Sequence, residues 1–67
     1  MRPDSFAALV VAAAQAGNAE RMHMLQGIAE TNVARARREG DTLGLSKWQA
    51  ELEEIEAALD ALRREAA

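Results

Sequence analysis

Near the C-terminal end of the sequence, Leu45, Trp48, Leu52, Ile55, Leu59, Leu62 and Ala66 follow one another at steps of 3, 4, 3, 4, 3 and 4 residues. Alternating steps of three and four track the turn of an α-helix, so all of these side chains share one face of a single long helix. A strand would scatter them over both of its faces. The residues between them include Glu51, Glu53, Glu54, Glu56 and Asp60, which make an acidic, solvated flank. Such a helix cannot stand alone in water; its stripe needs a cover.

The segment before it supplies one. Met22, Leu25, Ala29, Val33 and Ala36 recur at steps of three and four, and Ile28 widens the same apolar face. Arg35, Arg37 and Arg38 fill the last turn, where positive charge complements the helix dipole. Gly40 then stops the helix, and either Asp41 or Thr42 can cap an early restart. Ser46 with Gln49 forms an S-x-x-Q capping box for a later one. A turn centred near Asp41 folds the two stripes together as an antiparallel hairpin, setting Trp48 by Ala36, Ile55 by Ala29, Leu59 by Leu25 and Leu62 by Met22. In this register Arg35 and Arg38 come near Glu51.

Upstream, Asp4 or Ser5 can cap a first, alanine-rich helix, and Gly17 followed by Asn18 suits one helix end and the next helix start. Strand formers are scarce, with one Phe, one Trp and no Tyr. The expected fold class is therefore all-α: one domain over residues 1–67, with a short N-terminal helix (about 5–16) followed by an antiparallel helical hairpin (helices about 19–39 and 43–65). The hairpin seam is Met22, Leu25, Ala29, Val33, Ala36, Leu45, Trp48, Leu52, Ile55, Leu59 and Leu62.

With 67 residues and no cysteine, the chain has no disulfide to reinforce a core of this size. One His and no Cys also exclude a tetrahedral zinc site of the usual kind within one chain. The formal charge of −3 is not the footprint of a dedicated nucleic-acid binder. Residues 1–18 have the outline of a signal peptide, with an arginine, an apolar run and small residues. Pro3, Asp4 and the alanine-rich run point away from cleavage. That run is about half the length a membrane span needs.

No catalytic constellation is present, and no enzyme activity, cofactor or metal is expected. Glu20 and His23 match the E-x-x-H pair of di-iron carboxylate bundles. They lie off the Met22/Leu25/Ala29 stripe, however, and the seam offers aliphatic side chains where further ligands would be required. A carboxylate-bridged metal bundle is thus a remote alternative. Met22, His23 and Met24 are consecutive and diverge around the helix, so they cannot chelate together. The arginines at 35, 37 and 38 and those at 63 and 64 fall at opposite ends of the hairpin and read as dipole complements. Thr31 and Asn32 interrupt the second helix, where a polar residue can fix register or simply face water.

A hairpin leaves a flank of each helix uncovered: either the alanine-rich first helix, whose small side chains permit close approach, closes it, or another chain covers that helix or the hairpin's second flank. The remaining apolar side chains suggest such a partner. Phe6, Leu9, Val10, Met24, Ile28 and Leu43 lack an obvious cover within a hairpin and form the expected partner interface. Such a partner is a protein, either a different helical chain or a second copy. The alternative is a homodimeric helical-bundle regulator that binds RNA or protein.

The run Arg38-Glu39-Gly40-Asp41, the pair Trp48-Gln49 and the heptad-spaced aliphatics after them resemble the small co-chaperone of the type III secretion needle subunit. The likeness spans Arg38 to Leu62; Leu45 stands where that family suggests an aromatic or long polar residue, and the alanine-rich Phe6 to Ala16 segment departs from the more polar beginning of that family. The resemblance implies a cytoplasmic chaperone subunit that pairs with a larger helical-repeat chaperone and keeps the needle subunit monomeric.

Overall fold

The computed structural model describes residues 5–66 and contains three helices: α1 (Phe6–Gln15), α2 (Ala19–Glu39) and α3 (Thr42–Ala66). The chain is all-α, as the sequence indicates. Each boundary has a local cause. The Ser5 hydroxyl accepts a hydrogen bond from the Ala8 amide at 3.1 Å and caps α1. Asp4, the alternative cap, lies outside the described residues. Gly17 adopts φ 64°, where a side chain would be strained, and lets the chain reverse. The Asn18 carboxamide then accepts from the Arg21 amide at 3.0 Å and opens α2.

The second reversal is built the same way. Gly40 sits at φ 70°, and its own amide and that of Asp41 close back on Arg37 and Ala36 carbonyls. The Asp41 carboxylate accepts from the Gly44 amide at 2.9 Å. Of the two possible starts for α3, the early one is therefore used. Ser46 and Gln49 are exposed positions inside the helix rather than its cap.

Two contacts fix the direction of α1. Its first residue, Phe6, sets its ring edge-on to Trp48 near the start of α3, with centroids 5.0 Å apart and planes at 74°. At the other end, a Cβ placed on Gly17 would stand 3.9 Å from the Leu62 side chain near the close of α3. Hence α1 runs parallel to α3, and α2 is antiparallel to both. The molecule is a three-helix arrangement in which a short α1 lies along a long hairpin.

The core joins Val10 and Ala13 of α1, Met22, Leu25 and Ala29 of α2, and Ile55 of α3. Phe6, Leu9, Trp48, Leu52, Ala58 and Leu59 pack around it, each partly buried. This corrects part of the expected partner interface: Val10 is only 4% exposed and belongs to the core, while Phe6 and Leu9 are half-buried against it. The reason is that α1 docks along the hairpin and directs these side chains inward. Nearly every residue of α1 is apolar, so its inner face is hard to separate from its outer one by sequence alone.

A candidate interaction surface

Along α2 the seam is complete. Met22, Leu25, Ala29, Val33 and Ala36 are all buried. Along α3 it is not: Ile55 alone is fully buried, and Leu45, Trp48, Leu52, Leu59 and Leu62 each keep part of their surface in water. Three helices are too few to close around the long stripe of α3.

The gap shows as a groove of about 530 Å³ between the first turns of α2 and the last turns of α3. His23 and Gln26 form one wall, and Glu56, Leu59, Leu62 and Arg63 form the other. No α1 residue lines it, so it occupies a flank of the hairpin that α1 leaves uncovered. Its floor is aliphatic and its rim carries charge. Asp60, on the same rim, is held by Arg63 at 2.8 Å and Arg64 at 2.7 Å. These exposed pairs contribute little to stability, about 0–1 kcal/mol each.

Of the other expected interface residues, Leu43 is 85% exposed in the first turn of α3. Met24 and Ile28 are 49% and 43% exposed, one turn apart on α2. Val11 on α1 is 48% exposed; the sequence marks it as apolar without indicating its outward direction. His23, Gln26, Glu56, Asp60 and Arg63 were missed as groove residues. Spacing from Leu59 and Leu62 places Glu56, Asp60 and Arg63 beside the α3 stripe, and spacing from Met22 and Leu25 places His23 and Gln26 beside the α2 stripe, but only a missing neighbour makes a flank into a groove.

The polar side chains inside α2 serve their own helix. Thr31 Oγ1 donates to the Gly27 carbonyl at 2.9 Å and Asn32 Nδ2 to the Ile28 carbonyl at 2.8 Å. Asn32 Oδ1 accepts from Arg35. Asn32 therefore does not reach across the seam. The expected approach of Arg35 and Arg38 to Glu51 is also corrected: the ion pairs among the described residues are the two at Asp60. Arg35 is drawn to Asn32 on its own helix instead. Glu51 is left half-buried, with its Oε2 buried and without a hydrogen-bond partner among the described residues. Burial first, and the neighbouring Glu54 second, push its carboxyl above the ordinary value of 4.5, partly opposed by Lys47.

For the E-x-x-H pair, His23 Nδ1 lies 3.4 Å from Gln26 Oε1, and among the described residues no group of three or more His, Asp or Glu side chains could hold a metal ion. The arginines of α2 and those of α3 end up at opposite ends of the hairpin. No described helix is long and apolar enough to cross a membrane. Comparison with protein-family models, curated proteins and solved structures finds no match to this chain.

Proposed function

We propose that this chain is a non-enzymatic helical binding module, a small chaperone or adaptor subunit that pairs with another helical protein in the cytoplasm. The observation that carries this reading is the incomplete burial of the α3 stripe: Leu45, Trp48, Leu52, Leu59 and Leu62 all stay partly exposed while the facing α2 stripe is sealed. In a domain of this size, leaving five apolar side chains partly exposed forgoes core energy that is scarce to begin with. A partner helix recovers it. Leu43, Met24 and Ile28 add exposed apolar surface of the sort that partners cover.

The resemblance of Arg38 to Leu62 to the needle-subunit co-chaperones makes a helical-repeat chaperone of a type III secretion system the first partner to test. Co-expression of the two chains from one host, followed by light scattering on the purified material, checks the pairing. A stoichiometric complex is expected, together with a rise in the melting temperature of the small chain. A monomer that stays separate from such a chaperone at high concentration, and melts cooperatively at the same temperature with and without it, contradicts the reading.

A further inference from the structure

We propose that the flank of the hairpin away from α1 receives a single amphipathic helix of a partner protein, with an aliphatic ridge bordered by lysine or arginine. The proposal rests on the binding-module reading and specifies its surface and the charge of its partner. Leu59 and Leu62 floor the groove beside the first turns of α2. Leu52 and Leu45 continue the line of Leu59 at seven-residue steps along α3, and each is half-buried. The unfilled surface is therefore a strip along the helix, the shape that a helix laid in a groove fills.

Charge selects the occupant. Between Lys47 and Arg63, α3 carries Glu51, Glu53, Glu54, Glu56 and Asp60 and no basic residue. Asp60 is already held by Arg63 and Arg64, whereas Glu53 and Glu56 on the same edge have no ion-pair partner among the described residues. On the opposite edge Glu30 follows Gln26 by one turn and is likewise exposed and unpaired among them.

A second copy of this chain fits badly. A two-fold axis that let two copies cover each other's strip from Leu45 to Leu62 would pass near Glu53 and Glu54. It would bring Glu53 and Glu56 against the same two carboxylates of the other copy. A helix with basic flanks meets the same edge with opposite charge and covers the same leucines.

The test uses the full chain and two synthetic helical peptides with leucine at the a and d positions. One carries lysine at e and g, and its twin carries glutamate there. At low salt the lysine peptide should bind at least tenfold more tightly than its twin. Glu53→Lys with Glu56→Lys, both at exposed positions, should leave the circular dichroism unchanged and reverse the preference. A further variant, Leu62→Asp, should weaken the lysine peptide at least tenfold. Equal affinity for the two peptides, no binding of either, or a preference unmoved by the double lysine variant would overturn the proposal. So would a dimer of the chain that Leu62→Asp dissociates, since a second copy would then be the occupant. A complex with a helical chaperone that these variants do not affect would refute this surface and leave the binding-module reading standing; absence of any complex would remove both.

Discussion

The stripes of α2 and α3 are written in nearly the same pattern and meet different fates. On α2 the residues at the seam are small or slender, among them Ala29, Val33 and Ala36, and every one is buried. On α3 they are large, and only Ile55 is sealed. Small side chains let neighbouring helices come close, and since α2 and α3 each touch both of the other helices, side-chain volume is what separates the two stripes. The bulky residues of α3 stand out from a seam with too few neighbours to enclose them. Equal periodicity, then, does not mean equal burial: the volume at each position decides how much of a stripe leaves water when the neighbouring helices are the same in number.

The largest effect that could break this comparison is truncation of its buried member. Leu25→Ala removes a side chain only 1% exposed and should cost about 2–5 kcal/mol, enough to unfold a domain this small. The same substitution at Leu52 or Leu59 removes a half-buried side chain and should cost about half as much. Thermal melts followed by circular dichroism would rank them; equal losses at Leu25 and Leu59 would mean that the two stripes are equally sealed.

A smaller effect concerns the turn that brings the stripes together. Gly40→Ala forces a side chain into the left-handed region and should destabilise by about 1 kcal/mol, although a Cβ there meets no other atom. Chemical denaturation reads this as a lower midpoint with an unchanged slope. Loss of slope as well would show that the turn holds more than itself.

The smallest expected effect belongs to Glu51. Its folded-state carboxyl is raised above the ordinary 4.5, so the folded chain holds the proton more tightly than the unfolded chain does. Its contribution to stability is whole below that ordinary value and is lost as the pH rises through the raised one. Glu51→Gln keeps the shape without the charge. It should stabilise the protein at neutral pH relative to the native chain and flatten this part of the stability curve, measured by denaturation at pH 4 and pH 7. A variant less stable at pH 7 would mean that the charged carboxylate is held by a favourable partner.

The helix boundaries were legible because their causes are local. Ser5, the Gly17-Asn18 pair and Gly40 each act within a few residues of where they stand. The α2 stripe was legible because small, periodic apolar residues admit one reading. Two possible starts of α3 stayed open, since Asp41 and Ser46 are both competent caps and the choice depends on how tightly the turn closes. Docking of the first helix on the hairpin was legible as one of two options, but the inward direction of Phe6, Leu9 and Val10 was not. It depends on where a short helix falls across two others, and the contact of Phe6 with Trp48 joins residues far apart in the chain. The groove beside Leu59 and Leu62 was invisible for a related reason: it is made by a missing neighbour. Glu51 was assigned a partner by register alone, while Arg35 found Asn32 on its own helix.

The unequal burial of the two stripes is tested most directly by the relaxation of methyl protons in the presence of a soluble paramagnetic probe, measured by NMR at a concentration where light scattering finds a monomer. The methyl groups of Leu25, Met22 and Ile55 should relax slowly, and those of Leu45, Leu52, Leu59 and Leu62 distinctly faster. Slow relaxation of all seven in the monomer would contradict the account, because α3 would then have no half-open strip to offer a partner.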